Sequence, residues 1–441
     1  MKKFFKKLAI LATACISWVS SSGFAPANSF ERGESLMWQE SYVQVVGGSV
    51  KVVAGGYSES GNTLQIKPTA SQTDVYLNLP VFEEYGVGEK VHISFRIRSV
   101  ELADKKYDTY KVCTWGGIVV DYAFENGKWN WVNFDGTILQ KDGVKTVLLS
   151  LTELNPELYT TIYISEFKID DEIFDTEDLF GGVEMIFFEG VSDDRMLGCI
   201  FVSGDEVVVF DGGMHGDGAE LAKIIYQYGR KVSGWFISHF HHDHCTALRE
   251  ILENEDIEIE TLYYDFPTVD AMPAAKDYIE TFNEAVERNR HKINNIVQPK
   301  EKDLFSFNDI VVKVLNTMAP TSDANNTSIV YKVETPIESV LLWGDTNMDK
   351  FIKNPYSLSE LKRCRVVVMA HHGQGGVSKN VYDAIDDIKI CLYAGPRWLY
   401  DNDRGEGIGS SIYGTLETRS WMREKGVRIS LSQADGRIHF K

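Results

Sequence analysis

The segment from Ser238 to Cys245, SHFHHDHC, contains four of the ten histidines of the chain. Imidazole and carboxylate groups are donors that zinc, manganese and iron accept. The segment offers four such donors at closely spaced positions: His239, His241, Asp243 and His244. Burying so many imidazoles without a partner is costly, so a structural core is a poor explanation for the cluster. The spacing therefore predicts a metal site.

The histidine cluster lies between a predicted strand and a predicted helix. Residues 233–238 are apolar enough for a buried strand, and the helical pattern DHCTALREILEN begins at Asp243. Side chains at a strand end and at the start of the next helix can converge on one point, so this turn would position the donors. His242 points the other way in the alternation and is not predicted to be a ligand.

Two regions of different pattern surround this turn. Residues 28–176 contain short alternating runs such as KVHISFRIRSV between turn residues, which predict an all-β sandwich. From 180 to 441, strand-like runs such as EVVVFDGG alternate with helical segments such as GAELAKIIYQYG, which predicts a layered α/β domain large enough for a full core. The segment DTEDLFGG is the predicted boundary.

Four ordered motifs resemble those of the metallo-β-lactamase superfamily. HFHHDH matches its HxHxDH signature, Asp211 stands in VVVFDGG, Asp345 in LLWGDT, and His371 and His372 in VVVMAHHGQGG. The resemblance covers residues 183–441 and implies an αββα sandwich with metals at one edge of the sheets. Within the superfamily, NNTSIVYKVE and AHHGQGG look most like the hydrolase domain of ComEC-type competence proteins and their free-standing secreted relatives.

The resemblance implies a role for each matching residue. Two divalent ions, Zn²⁺ or Mn²⁺, would be held by six ligands: His239, His241, Asp243, His244, Asp345 and His371. Asp345 would bridge the two ions. The catalytic residues would be Asp243, Asp211, which orients a ligand or the metal-bound water, and His372, which donates a proton to the leaving group. Which histidine of the HHG pair is the ligand stays open at this stage.

One expected ligand is missing. Most two-metal members have a further histidine between the HxHxDH turn and the bridging aspartate, where this chain has only His291 within the charged segment ERNRHKINN. The segment DANNTSIV occupies the expected position, so Asn325, Asn326 or Ser328 replaces the histidine or the place stays open. ComEC-type domains show the same replacement. Fewer nitrogen donors favour manganese over zinc.

Hydrolysis is the reaction that such a site predicts. Two cations that share a carboxylate activate water and neutralise charge on an ester, and no flavin-binding region that would accompany oxygen chemistry is visible. The ComEC likeness favours phosphodiesters over lactones, thioesters or β-lactams. A net charge of −19 disfavours strong affinity for nucleic acid. The phosphodiester could be nucleic acid, a phospholipid headgroup or a wall polymer.

Residues 1–27 are predicted to be an export signal. A basic head, MKKFFKK, precedes the apolar run LAILATACISWV, and cleavage positions follow at Ala25 and Ala27. The protein is therefore expected to be secreted or at the cell surface, with lipid attachment at Cys15 the less favoured route. The rest of the chain has no apolar segment long enough to span a membrane. The other five cysteines are predicted to be buried apolar residues.

The all-β region resembles jelly-roll carbohydrate-binding modules in its closing strands, GVKTVLLSLTELNPELYTTIYISEFKID. Four aromatic residues there would stack on sugar rings or fill the sandwich core: Tyr110, Trp115, Trp129 and Trp131. An alternative function follows, in which the module binds a surface glycan and the metal domain is a degenerate scaffold. A second question stays open. An aromatic and acidic pocket for a cationic headgroup would be formed by Trp343 beside Asp345, and by Trp398 and Tyr400 beside Asp401 and Asp403. Alternatively, Trp343 packs in the core strand and Trp398 fills a loop.

Overall fold

The computed structural model describes residues 39–440, apart from 55–61, 70–71, 100–106, 114–118, 126–128, 154–160, 171–178, 192, 319–320 and 428. The predicted export signal, Cys15 and Trp115 lie outside the described residues. The side chains of Tyr110, Cys113 and Trp131 do as well. In the described part of the chain, no helix combines the length and apolarity needed to cross a membrane.

The first region forms two antiparallel sheets. Its described strands are β1 Val43–Val46, β2 Gly48–Ala54, β3 Asn62–Pro68, β4 Gln72–Leu77, β5 Lys90–Ser99, β6 Tyr107–Cys113, β7 Val119–Glu125, β8 Asn130–Thr137, β9 Leu139–Lys141, β10 Val144–Glu153 and β11 Ile162–Asp170. One sheet has the order β1-β4-β10-β6-β7, with β9 beside β10, and the other β2-β3-β11-β5-β8. Val75 and Leu149 of the first sheet share one buried core with Phe95 and Ile164 of the second. The two sheets thus pack face to face, while the jelly-roll topology stays a prediction.

The second region is mixed α/β. Its strands are β12 Glu184–Phe187, β13 Gly198–Ser203, β14 Glu206–Asp211, β15 Lys231–Phe236, β16 Glu258–Tyr263, β17 Ile293–Val297, β18 Leu304–Phe307, β19 Ile310–Val314, β20 Tyr331–Glu334, β21 Ser339–Leu342, β22 Val366–Val368, β23 Ile390–Tyr393, β24 Ile429–Ser432 and β25 Ile438–Phe440. Its helices are α1 Gly218–Tyr226, α2 His242–Asn254, α3 Lys276–Arg288, α4 Pro355–Leu361, α5 Lys379–Asp383, α6 Arg397–Tyr400 and α7 Thr415–Glu424. The predicted mixed α/β class is therefore confirmed.

The described strands of this region form two seven-stranded sheets, β17-β16-β15-β14-β13-β12-β25 and β18-β19-β20-β21-β22-β23-β24. Apolar residues from both sheets, such as Phe236 and Leu342, fill one buried layer between them. Helices α1 and α2 pack on the outer face of the first sheet through Leu221 and Leu248. Helices α4 and α5 cover the second through Leu361 and Val381. The order of layers is helix, sheet, sheet, helix.

A cluster of ion pairs links the second sheet to helix α4. Lys332 in β20 is fully buried, and its Nζ lies 3.0 Å from a carboxylate oxygen of Glu360 and 3.1 Å from one of Glu334. Lys313 in β19 reaches the same Glu360 oxygen at 3.1 Å. Burial alone would raise the pKa of Glu360, but its hydrogen bonds and ion pairs with the two lysines lower it. The carboxylate is therefore ionised and neutralises a lysine that has no contact with water.

Candidate metal centre

The predicted donors meet where parallel strands of the two sheets end. In the first sheet β14 ends at Asp211, and β15 leads directly into the histidine segment at the start of α2. In the second sheet β21 leads to Asp345 and β22 to the turn that holds His371 and His372. Carboxyl ends of parallel strands face the same edge, so residues far apart in sequence reach one site. The αββα layering therefore positions this site.

Two groups of donor atoms lie together at this edge, and each group has its atoms within 4.8 Å of one another. The first group is Asp243, His244, Asp345 and His372; the second is His239, His241 and Asp345. Asp345 is 1 % exposed and belongs to both groups, as expected of a bridging carboxylate. The structure thus brings together five of the predicted ligands and adds His372.

The donor atoms face one another without satisfying one another. His244 Nε2 lies 3.1 Å from Asp345 Oδ1, and His372 Nε2 lies 3.2 Å from Asp243 Oδ2. Although these distances allow ion pairs, hydrogen-bond geometry is missing, and the Nε2 atoms of His239, His244 and His372 stay buried and unpartnered. Buried polar atoms normally have partners. Lone pairs that converge without partners fit divalent cations, so the residues present suit the predicted metals.

Asp211 holds one of these histidines in place. The Asp211 carboxylate accepts hydrogen bonds from the backbone N–H of Ser238 at 2.7 Å and from its hydroxyl at 2.9 Å. It also lies 2.9 Å from His244 Nδ1. A proton on Nδ1 leaves the Nε2 lone pair free for a metal, so Asp211 fixes the required tautomer. Trp235 Nε1 donates to the Asp211 carbonyl at 2.8 Å and supports this residue at φ 53°.

Ser238 is a functional residue that sequence reasoning missed. Besides its bonds to Asp211, its hydroxyl lies 3.1 Å from His239 Nδ1 and 3.4 Å from His244 Nδ1. It therefore orients histidines of both donor groups from a buried position. Its position directly before the histidine run could have identified it, because side chains at the end of a buried strand can reach the site.

The geometry places His372, rather than His371, in a donor group. His372 is buried, its Nδ1 lies 2.6 Å from the Ala394 carbonyl oxygen, and its Nε2 reaches Asp243 and Asp345. His371 is 26 % exposed, and its Nε2 lies 3.7 Å from Asp345 Oδ2. Both residues have positive φ, 49° and 58°, so the chain turns sharply between them. That turn, which the sequence does not reveal, sends the second ring inward.

Burial and nearby carboxylates shift the pKa values of the five site histidines in opposite directions. Burial lowers the pKa of His239, His241 and His371. Burial acts the same way on His244 and His372, but nearby carboxylates, with Asp345 foremost, raise the pKa of His244 well above its usual range and that of His372 to about 9.

The histidines in turn lower the pKa values of the buried carboxylates. Burial would raise the pKa of Asp345 and Asp243, yet His244, followed by His372, lowers both. The histidines and carboxylates therefore influence one another strongly, and binding of a divalent cation would be linked to the loss of any protons on its ligands.

The structure separates the three candidates for the missing histidine. The side-chain oxygen of Asn326 accepts from the Asn347 backbone N–H at 2.9 Å, and the Ser328 hydroxyl accepts from the Asp345 N–H at 3.1 Å. The side-chain oxygen of Asn325 is buried and unpartnered. Asn325 is therefore the candidate whose side-chain oxygen is free to bind a metal ion. His291 is exposed in a short 3-10 helix, Arg290–Lys292.

Other predicted residues lie outside the donor groups. His242 is exposed and its ring stacks on Tyr278 at a centroid distance of 5.9 Å. Trp343 is fully buried in the core beside Phe351, so the core interpretation is correct for it. Trp398, in contrast, lines a surface pocket with Asp403. Four of the predicted apolar cysteines are buried and free: Cys199, Cys245, Cys364 and Cys391.

Comparisons with known proteins bear on this region. Residues 199–357 match the family model of the Metallo-beta-lactamase superfamily. Among solved structures, the metallo-beta-lactamase fold protein YhfI from Bacillus subtilis is similar at 12% identity, with 58% of this chain and 99% of that chain covered and a TM-score of 0.40. The short form of human tRNase Z is similar at 13% identity, with 58% and 99% covered and a TM-score of 0.34.

A further similarity involves a carbohydrate-binding domain. The CBM22-1 xylan-binding domain of Paenibacillus barcinonensis Xyn10C is 17% identical, with 31% of this chain and 90% of that chain covered and a TM-score of 0.24. A search of curated proteins found no match. The family model confirms the predicted superfamily for residues 199–357, while the closer likeness to ComEC-type domains stays a prediction. The chain contains a metallo-β-lactamase superfamily domain.

Proposed function

We propose that this chain is an exported, metal-dependent phosphodiesterase. The observation that carries the proposal is the pair of donor groups that share Asp345 and whose buried nitrogen atoms lack other partners. We assign His239 and His241 to one ion, and Asp243, His244 and His372 to the other. This assignment replaces His371 with His372. Asn325 is the candidate for the remaining position of the first ion.

Two ions of Zn²⁺ or Mn²⁺, when bound, would supply Lewis acidity and lower the pKa of a water molecule to near neutral. The protein contributes orientation and charge. Asp211 and the Ala394 carbonyl each hold the Nδ1 side of one histidine, which directs Nε2 toward the site. His371, whose ring is partly exposed, is placed to donate a proton to a leaving oxygen at the edge of the site.

Phosphodiester hydrolysis demands little beyond these groups. The reaction needs charge neutralisation at phosphorus and a proton for the departing oxygen, whereas opening a β-lactam requires a pocket that stabilises an amide nitrogen as it leaves. A site with several carboxylates, donor groups that would hold two cations and one partly exposed histidine suits the first reaction better. Lactones, thioesters and β-lactams are the alternative substrates that the assay must include.

The test uses the full exported chain reconstituted with Zn²⁺ or Mn²⁺. We expect up to two ions per chain by elemental analysis, turnover of bis-p-nitrophenyl phosphate or p-nitrophenyl phosphorylcholine, and little turnover of nitrocefin. Asp345→Ala should abolish turnover with the fold intact by circular dichroism. His242→Ala, a matched histidine that is exposed, should keep metal and activity. A chain without stoichiometric metal, or efficient nitrocefin hydrolysis, would overturn the proposal.

A second candidate function is glycan binding by the β-sandwich. Gln65, Tyr163 and Arg98 are register partners across three strands, and the Arg98 guanidinium lies 5.2 Å from the rings of both Tyr163 and Trp129. Gln65 Nε2 also donates to the Tyr163 hydroxyl at 2.9 Å. A row of aromatic and polar side chains on a sheet face suits stacking and hydrogen bonding to sugars.

This row favours a substrate attached to a surface, or a glycan-binding protein whose metal domain is degenerate. The buried donor atoms argue against the degenerate alternative. We expect Trp129→Ala to reduce retention on insoluble cell-wall polysaccharide without changing turnover of a small ester. Equal retention of the variant and the parent would remove this face from glycan binding.

Export is part of the proposal and rests on residues 1–27. We expect protein purified from the culture medium of a bacterial host to begin just after Ala25 or Ala27, which N-terminal sequencing will establish. Protein that retains Met1 and stays inside the cell would contradict export.

A further inference from the structure

A short 3-10 helix, Ala324–Thr327, carries Asn325 between strands β19 and β20. Its first residue packs against the apolar cluster that contains Phe240, which stands between the two histidines proposed for the first ion. Just after the helix, the Ile329 backbone N–H donates to the Ser238 carbonyl at 2.9 Å. Contacts before and after Asn325 therefore attach its segment to the stretch that carries those histidines.

The carboxylate of Asp323 joins this segment to the loop of the bridging ligand. Its Oδ1 accepts from the Asn325 backbone N–H at 3.1 Å. Its Oδ2 accepts from the side-chain amides of Asn326 at 3.2 Å and of Asn347 at 2.9 Å. Asn347 follows Asp345 by two positions. One side chain thus connects the loop after β19 with the loop after β21.

The partners of Asp323 are all donors, and other hydrogen bonds fix their orientation. The side-chain oxygen of Asn326 accepts from the Asn347 backbone N–H at 2.9 Å and from the Thr346 hydroxyl at 3.3 Å. The Asn326 amide also donates to the Asn347 side-chain oxygen at 2.6 Å. Both amides therefore turn an N–H toward Asp323. An asparagine at position 323 would place N–H against N–H whichever way its amide turned, so the position requires two acceptor oxygens.

The side-chain oxygen of Asn325 is left for a ligand. It is buried and has no hydrogen-bond partner, which is costly for an acceptor. Amide oxygens are ligands that Mn²⁺ accepts. Since Asp323 holds the backbone N–H of the same residue, it also fixes the place from which this oxygen projects.

We propose that Asp323 is a positioning residue for the first ion, because it holds the Asn325 oxygen at that ion and in register with Asp345. This inference rests on the proposed function, which supplies His239 and His241 as further ligands of the first ion. Asp323 lies outside both donor groups, so it acts through its hydrogen bonds and not by binding metal.

The test measures metal binding on the full chain and does not depend on turnover. Competition between the chain and a chromogenic chelator for Mn²⁺ gives the two affinities, and electron paramagnetic resonance distinguishes a coupled pair of ions from a single ion. We expect Asp323→Asn to weaken the first ion by about tenfold or more, as is typical of residues that orient a ligand. The second ion should keep its affinity. His241→Ala provides the reference signal of a chain that has lost the first ion.

Asp303→Asn is the matched control. Asp303 is also half-buried, and its carboxylate accepts a backbone N–H, that of Lys300, at 2.8 Å in the turn before β18. It lies outside both donor groups, so the variant should keep both affinities. A role in stability alone would lower thermal unfolding in both variants and change metal affinity in neither.

A double-mutant cycle tests whether Asp323 acts through Asn325. Asn325→Ala should weaken the first ion, and adding Asp323→Asn should weaken it little further, because the oxygen that Asp323 positions is already gone. Asn347→Ala removes one donor of the network at an exposed position and should weaken the first ion by a smaller factor. This variant carries the test if Asp323→Asn does not fold.

Parent-like affinity for both ions in Asp323→Asn, or in Asn347→Ala where only that variant folds, would overturn the inference. Effects of Asp323→Asn and Asn325→Ala that simply multiply would overturn it as well. A parent chain that binds a single ion would do the same and would leave a one-ion hydrolase possible. Two bound ions with the expected losses, but no turnover of any phosphodiester, would refute the proposed function and support the role of Asp323.

Discussion

Replacing Asp211 by Asn tests how the metal centre is held together. Asp211 is 2 % exposed and touches no predicted metal position directly; it acts through Ser238 and His244. Asn is the appropriate substitution, because it is among the residues that tolerate positive φ and so keeps the backbone at 53°. The change removes the negative charge and leaves one acceptor oxygen where the carboxylate offered two. In one amide orientation both the Ser238 hydroxyl and His244 Nδ1 then face an amide N–H, and in the other the Ser238 backbone N–H does.

The expected size of the effect follows from that geometry. Loss of a carboxylate that orients a ligand histidine typically lowers metal affinity by about 10- to 100-fold, which corresponds to about 1.4 to 2.8 kcal/mol. One buried donor without a partner costs a further amount of about 1 to 3 kcal/mol in stability. Competition with a chromogenic chelator measures the affinity, and thermal unfolding of the metal-free chain measures the stability.

Asp217→Asn is the matched control. Asp217 is fully buried in the same loop region, but its carboxylate accepts from the backbone N–H groups of Met214 and Val191, both at 2.8 Å. The control should lose stability and keep metal affinity. If Asp211→Asn binds metal as tightly as the parent, or if both variants lose affinity equally, the tautomer-fixing role of Asp211 is refuted.

Three further predictions concern the ligand assignment, the ion-pair cluster and the domain organisation. His372→Ala should lose about one equivalent of metal by elemental analysis, while His371→Ala should keep its metal and lose more activity on alkyl than on nitrophenyl leaving groups; the opposite metal contents would restore the original assignment. Glu360→Gln should lower the free energy of unfolding at neutral pH by about 1 kcal/mol, since it removes one of the two carboxylates beside buried Lys332 and leaves that of Glu334 at 3.1 Å. Because the folded pKa of Glu360 is lowered, its contribution is present above the ordinary carboxyl pKa and fades as pH falls through the lowered value, so urea titrations of variant and parent should converge in acid. Residues 180–441 alone should hydrolyse small phosphodiesters, and a folded, metal-loaded but inactive truncation would show that the β-sandwich completes the site.

The sequence by itself determined the kind of site and the elements that carry it. Each donor segment follows an apolar strand, as in VVVFDGG before the first helix and LLWGDT after β21. Ligands close together in sequence, such as His239 and His241, need only a local turn to converge. Apolar periodicity also separated the all-β region from the mixed α/β region, because burial on one face imposes that pattern regardless of the rest of the chain.

Tertiary structure decided the assignments that depend on distant segments. The order of His371 and His372 depends on two residues with positive φ and on the Ala394 carbonyl, which comes from the next strand. The choice of Asn325 depends on partners that occupy its neighbours. Neither constraint leaves a trace in local residue patterns.

The position of Asp345 shows the same limit most clearly. Asp345 meets His239 and His244 only when the two sheets pack face to face and their strand ends lie at one edge. Chain order carries no information about such a meeting, because the energy that drives it is distributed over the buried layer between the sheets rather than over the donor residues. The sequence therefore specifies which donors are available, and packing decides which of their atoms remain without a partner.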